Sequence, residues 1–123
     1  MNGIDFLADT NILLYVLEGY PVVSGIAQSS IAVSVISEIE LLGKKGILQD
    51  EITAIRHLLD DCTIIPLTFE IKEITISLKQ TYKLKIPDAV VAATAIHFGF
   101  PLITADADFL KISNLNLIRL NLS

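Results

Sequence analysis

Asp9, Glu40, Asp88 and Asp106 each stand where an apolar stretch meets the element that follows it. The segments are IDFLAD ending at Asp9, IAVSVIS ahead of Glu40, IPD at Asp88 and PLITAD ending at Asp106. Carboxylates aimed at one edge of a small domain repel one another. Two like charges about 4 Å apart cost roughly 4 kcal/mol at an effective dielectric of 20. Four such groups stay ionised together only if a cation compensates or protons bind. Oxygen-only ligands suit a hard ion, Mg²⁺ or Mn²⁺, over zinc or copper. Such an ion activates water and offsets charge on phosphate oxygens. The pattern therefore reads as a metal-dependent enzyme acting on phosphate esters.

Each acid alone has a plainer explanation. Asp9 suits a helix N-cap, Ser37-x-x-Glu40 matches a capping box, and Asp88 suits the positive end of a helix dipole. Asp106 can cap the short element behind it. Caps use Ser, Thr and Asn as readily as Asp, so four acids at four such borders favour a site. Glu38 competes with Glu40. Two positions apart on a helix, they point roughly 200° from each other, so only one faces the cluster. Glu40 lies four after Ile36 and beside the Ile39/Gly43 stripe, which selects it. Asp108 either joins Asp106 from the same turn or is simply solvated.

These acids need elements to position them. Residues 4–8 are short and apolar, as in a buried strand. Asp9-Thr10-Asn11 is a turn, and 12–18 reads as a short helix. Residues 19–30 carry Gly, Pro and Ser and read as the loosest segment. A strand at 31–35 precedes helices at 37–46, with Glu40 in its first turn, and at 50–61. A strand at 62–67 leads into an amphipathic segment at 69–82. Pro87 fits the first turn of a helix to about residue 98, where Gly99 and Pro101 stop it. Strands follow at 102–104 and 115–120, with a short turn or helix at 105–110 between them. Alternating strands and helices predict α/β architecture, a mostly parallel sheet of about five strands with helices on both faces. Ligands of such sheets gather at the carboxyl ends of the strands.

The chain has 123 residues, the length of one domain, taken as 1–123. Its apolar fraction of 52% and mean hydropathy of +0.61 suggest that a partner covers part of the apolar surface. No apolar run approaches the roughly 20 residues of a membrane span, and MNGIDFLADTN does not read as a signal peptide. Cys62 is the single cysteine, so no internal disulfide or thiolate cluster forms. A cytoplasmic protein is expected. The net charge of −5 argues against nonspecific duplex binding, less so where carboxylates belong to a metal site.

FLADTNILLYVLEG, SVISEIELLGKKG, KIPDAVVAATAIHFGFPLITADADF and LIRL follow one another over nearly the whole chain. The combination of D-T-N with P-D-A-V-V-A-A-T-A and L-I-T-A-D-A-D-F is specific. On these motifs the chain resembles the PIN-domain ribonucleases, most closely the VapC-type toxins of toxin–antitoxin pairs. The resemblance implies a PIN-like three-layer fold with acidic ligands at Asp9, Glu40, Asp88 and Asp106. It implies Asp108 as an accessory acid, and Thr10, Asn11 and Thr104 as the small polar residues that support the acids. It also implies Mg²⁺- or Mn²⁺-dependent cleavage of single-stranded RNA, a homodimer, and an antitoxin whose tail covers the active-site groove. Glu38 is a departure, since relatives more often carry an apolar or neutral residue there.

On this reading Asp9, Asp88 and Asp106 hold the metal, and Glu40 orients or deprotonates the attacking water. Lys83 and Lys85 precede Asp88 and are candidates to steer an RNA backbone, against the plainer reading of ordinary loop lysines. Lys44 and Lys45 suit a helix C-terminus. His57 and His97 have no paired ligand at usable spacing, and Tyr15 and Tyr20 suit packing better than base stacking. A phosphoacceptor signalling module would need an acid just after the third strand and a lysine after the fifth. Pro66-Leu67-Thr68 and Asn121 stand there instead. A non-catalytic interaction protein on the same fold suits the hydropathy, but leaves four carboxylates uncompensated.

Overall fold

The computed structural model describes residues 3–121. The outermost positions of the expected 1–123 domain, 1–2 and 122–123, lie outside the described residues. Five strands form one sheet: β1 (Phe6–Ala8), β2 (Ile31–Ser34), β3 (Thr63–Ile65), β4 (Leu102–Thr104) and β5 (Leu117–Arg119). Their order is β3-β2-β1-β4-β5, and every pairing is parallel. The expectation of a mostly parallel sheet is met in full.

The helices are α1 (Thr10–Glu18), α2 (Val35–Leu42), α3 (Gln49–Asp60), α4 (Phe69–Thr81) and α5 (Ile86–Phe98). Side chains alternate across each strand, as period-two geometry requires. Leu7, Ala32, Ile65 and Leu102 face one way, into a core with Ile71 and Leu78 of α4 and Val90 and Val91 of α5. Ala8, Ile31, Val33 and Ile103 face the other way, into a core with Ile12 and Leu13 of α1 and Ile55 and Leu59 of α3. The result is three layers, helix on sheet on helix.

Several expected boundaries move, each for a local reason. Helix α1 starts at Thr10 and not Ile12, because Asp9 caps it by accepting from the Thr10 amide at 2.8 Å. The 19–30 segment is less loose than its composition suggests. It holds two 3₁₀ turns, Pro21–Val23 and Ile26–Gln28. Val23 is buried there, and Tyr20 stacks on Tyr15 at 5.0 Å.

Helix α2 begins at Val35, directly after β2, with Ser34 as its N-cap. The Ser37 capping box is therefore overturned: Ser37 lies inside the helix and is fully buried. Glu40 falls in the second turn, not the first. The helix ends at Leu42 and not near Gly46. A Cβ on Gly43 would sit 2.5 Å from the Ile39 carbonyl oxygen, so only glycine fits this close approach. Lys44 and Lys45 accordingly lie beyond the helix, and Lys44 pairs with Glu51 at 3.1 Å.

Strand β3 spans three residues where 62–67 was expected, and β5 three where 115–120 was expected. Helix α5 follows its signals closely. Pro87 sits in its first turn, and Gly99 ends it in the left-handed conformation at φ 72°. Its run from Ala89 to Ala95 is wholly buried, and small alanines let it pack closely against α4. That burial anchors the helix whose first turn carries Asp88.

Candidate active site

In this strand order the chain winds outward from β1 in one direction to β2 and β3, and in the other to β4 and β5. The switch point lies between β1 and β4, and open α/β sheets bind ligands beyond the carboxyl ends of such strands. Asp9 follows β1 there, and Thr104 ends β4 beside it. The Asp9 amide donates to the Ile103 carbonyl at 3.0 Å, which extends the ladder to the edge of the site.

Asp9 is almost enclosed, at 6% exposure. Its Oδ1 accepts from the Thr10 amide, and its Oδ2 accepts from the Thr104 hydroxyl at 2.7 Å. The Thr104 oxygen in turn accepts from the Asp106 amide at 3.0 Å. Asp106 Oδ1 accepts from the Asp108 amide at 2.9 Å and so caps the 3₁₀ turn Ala107–Lys111. Asn11 Oδ1 accepts from the Ala105 amide at 3.3 Å, tying α1 to the same loop. Buried Phe109 pins the loop from below. Thr10, Asn11 and Thr104 thus hold backbone and carboxylate in register.

Helix α5 starts at the same edge and delivers Asp88. Burial, and then the negative charges of Asp9, Asp106, Glu40 and Asp108, push Asp88 up to about 6. Burial also raises Asp9 above the usual carboxylate range, and Asp106 and Glu40 add to the rise. Its bonds from Thr104 and Thr10 partly offset it. Burial is thus the larger cause of both shifts, and the crowding of like charges anticipated from the sequence adds to it.

Oxygen atoms of Asp88, Asp106 and Asp108 lie within 4.8 Å of one another. Ligands of an octahedral ion at about 2.1 Å stand roughly 3–4 Å apart, so small side-chain adjustments close this set. The donors are all carboxylate oxygens, which fits a hard divalent cation. Asp9 stands outside that tight trio but within electrostatic reach of Asp88. Asp108, read from the sequence as accessory or merely solvated, lies inside the trio.

The two competing glutamates part company. Glu38 turns away and pairs with Arg56 at 3.1 Å. Glu40 turns toward α1, where the Thr10 hydroxyl donates to its Oε1 at 2.7 Å. The Thr10 oxygen is also 2.9 Å from the hydroxyl of Ser37.

Two concavities adjoin the acids. One, of about 510 Å³, is lined by Lys79, Lys83, Leu84, Lys85, Asp88, Asp108 and Lys111. Four of the chain's nine cations therefore share a wall with two of the clustered acids. Lys111 donates to the Lys83 carbonyl at 2.9 Å, and Lys79 donates to the Leu84 carbonyl at 2.5 Å, so both brace the segment that presents Lys83 and Lys85. Lys83 and Lys85 were legible in the sequence as members of this wall; Lys79 and Lys111 were not. Lys111 lies three residues past Asp108, a spacing that places it in the same short turn, and this was the available signal. The other concavity, of about 480 Å³, runs from Thr10 and Glu40 along Leu14, Leu17, Leu41, Ala54 and Ile55. Its apolar lining was not anticipated.

A sequence profile of the family described as "PIN domain" matches residues 6–115. No curated protein sequence matches the chain. Among solved structures, a toxin–antitoxin complex from Klebsiella pneumoniae contains a chain 33% identical, covering 92% of this chain and 95% of that one, with a TM-score of 0.77. VapBC-1 from nontypeable Haemophilus influenzae matches at 22% identity, 93% and 96% coverage and a TM-score of 0.80. VapBC2 from Rickettsia felis, bound to a DNA fragment from its promoter, matches at 23% identity, 93% and 97% coverage and a TM-score of 0.76. The last two speak to the fold alone.

Proposed function

The chain belongs to the PIN-domain family, and from that premise we propose that it is a metal-dependent endoribonuclease cleaving single-stranded RNA, the toxin of a type II toxin–antitoxin pair. The observation that carries this reading is the convergence of Asp9, Glu40, Asp88, Asp106 and Asp108 at the switch point of the sheet. Uncompensated, that convergence only destabilises the fold, so it speaks for a function and against a purely structural role.

Asp9, Asp88 and Asp106 would hold Mg²⁺ or Mn²⁺, with Asp108 closing the set. When bound, the ion activates water and neutralises charge on the scissile phosphate. Glu40 orients that water or takes its proton, held on its helix by Thr10. Thr104 and Asn11 keep the Asp106 loop against β1. No described helix is long and apolar enough to cross a membrane, in keeping with a cytoplasmic site of action. The apolar groove leading away from Thr10 and Glu40 suits a tail of the cognate antitoxin laid over the acids. Exposed Leu67, Phe69, Ile76 and Ile86 add apolar surface in keeping with a homodimer.

The direct test is cleavage of a single-stranded RNA by the purified chain, with calorimetry of Mn²⁺ binding beside it. Cleavage should stop in EDTA and return with excess Mg²⁺ or Mn²⁺. Undiminished cleavage in EDTA, or no heat with Mn²⁺, would reject the reading. Absence of both would favour a PIN-fold interaction protein without activity.

Two further outcomes separate residues that the sequence left in competition. Glu40→Gln should lower cleavage about a hundredfold. Glu38→Gln should leave it within about twofold, and should cost less than about 1 kcal/mol of stability because its ion pair is exposed. Equal losses in the two variants would show that Glu40 has no special place.

The lysine wall predicts a salt signature. Each phosphate contact on a single strand contributes about −0.7 to the slope of log affinity against log salt. Replacing Lys83 and Lys85 with Ala should flatten that slope by about 1.4 for an uncleavable RNA and leave the heat of Mn²⁺ binding unchanged. An unaltered slope would place the RNA elsewhere.

A further inference from the structure

Ser37 is fully buried on α2 yet carries a hydroxyl, and its partner is the Thr10 hydroxyl at 2.9 Å. Thr10 lies 2.7 Å from Glu40 Oε1 on its other side. The proton arithmetic is restrictive. A threonine hydroxyl has one hydrogen, and an ionised carboxylate only accepts. The Thr10 hydroxyl is the donor in both contacts, so its one proton is shared between the Ser37 oxygen and Glu40, and the two acceptors together fix the hydroxyl between them. Ser37 sits three residues before Glu40 on the same helix, so one turn of α2 supplies both ends of the chain, and α1 supplies the middle.

We propose that Ser37 is a positioning residue: by accepting from Thr10 it fixes the rotamer of that side chain and keeps its hydroxyl within reach of Glu40, holding this exposed carboxylate over the acid cluster. The role assigned to Glu40 rests on the endoribonuclease reading, but the Ser37–Thr10 link does not. Without Ser37, Thr10 loses the bond that selects its rotamer. Its hydroxyl then has no fixed partner on the buried side, and Glu40 regains the freedom of a surface side chain.

Two experiments on the full chain decide the matter. In the metal-free protein, three-bond couplings to the ¹³C-labelled Thr10 methyl report its χ1. A single rotamer is expected for the wild type, averaging for Ser37→Ala, and a single rotamer again for Ser37→Thr. A single unchanged rotamer in Ser37→Ala would overturn the proposal. This arm stands even if the chain cleaves no RNA, a result that would instead sink the nuclease assignment. In cleavage assays, Ser37→Ala should lower kcat about tenfold, the scale of one hydrogen bond, with KM within about twofold. Ser37→Thr should recover to within about threefold. In a Glu40→Gln background, Ser37→Ala should cost nothing further. The same loss in both backgrounds would show that Ser37 acts only through general packing. Should Ser37→Thr fail to fold because of its extra buried methyl, the two-background comparison still decides.

Discussion

Asp9→Asn is expected to reduce RNA cleavage at least about a thousandfold while leaving the chain folded. The substitution keeps volume and shape at a position 6% exposed, so no cavity opens. It removes one negative charge from the proposed ion-binding set and withdraws electrostatic attraction that would hold a divalent cation there. It also disturbs the hydrogen bonding. Both Asp9 oxygens accept, one from the Thr10 amide and one from the Thr104 hydroxyl. An asparagine offers one acceptor and one donor, so one of these partners faces an N–H. Thr104 cannot simply turn, because its oxygen also receives the Asp106 amide. The defect therefore reaches Asp106 as well. Stability should change little, since relief of an unfavourably buried charge offsets the lost bond. The measurements are single-turnover cleavage at saturating Mn²⁺ and a thermal melt. Cleavage within tenfold of wild type in a folded variant would remove Asp9 from the site.

In metal-free protein, Asp88→Asn should stabilise the fold near neutral pH and abolish the response to Mn²⁺. The sign follows from proton binding. Asp88 titrates at about 6 in the folded chain and near the ordinary 3.8 when unfolded. The folded state therefore holds the extra proton between these values. Stability from this group is fully present below about pH 4 and is lost as pH rises through about 6. Without solvent screening, such a shift would correspond to about 3 kcal/mol. Asp88 is only half-buried, and solvent screening reduces this to about 1–2 kcal/mol.

Asp88→Asn should accordingly raise the metal-free melting temperature by about 3–6 °C at pH 7.5, and the gain should vanish near pH 4. The raised Asp9 has the same sign, so some pH dependence remains in the variant. Mn²⁺ should restore the wild type by mass action and leave the variant unmoved, and the variant's cleavage should fall at least about a hundredfold. Chelator-treated melts from pH 4 to 8, with and without Mn²⁺, measure all of this. A variant less stable than wild type at pH 7.5 would contradict the picture of a partly buried carboxylate crowded by other acids.

The positions of most elements could be read from local pattern. Leu102–Thr104 was legible to the residue, bounded by Pro101 and an acidic turn, and α5 was marked by Pro87 and Gly99. Boundaries failed where a side chain serves two elements. Ser37 looks like a cap on paper because S-x-x-E is a capping pattern. In the fold, Ser34 caps α2 and the Ser37 hydroxyl is engaged by Thr10, 27 residues earlier. The Lys111 brace on Lys83 spans 28 residues and carries no local signal. The groove beside Thr10 and Glu40 needs three helices to line it, and no one of them announces it.

By itself the sequence determined the chemistry available: oxygen donors without thiolates or paired histidines, strands alternating with helices, and acids at the borders. These are properties of residue type and short-range spacing, where backbone sterics and period dominate. The tertiary structure alone decided which acid meets which. Glu38 and Glu40 are equally acidic and two residues apart, yet one pairs with Arg56 and the other with Thr10. Asp108 enters the tight trio and Asp9 stands just outside it. Such choices rest on helix rotation and sheet register, set by burying two cores at once, and that free energy is spread over residues far apart in the chain.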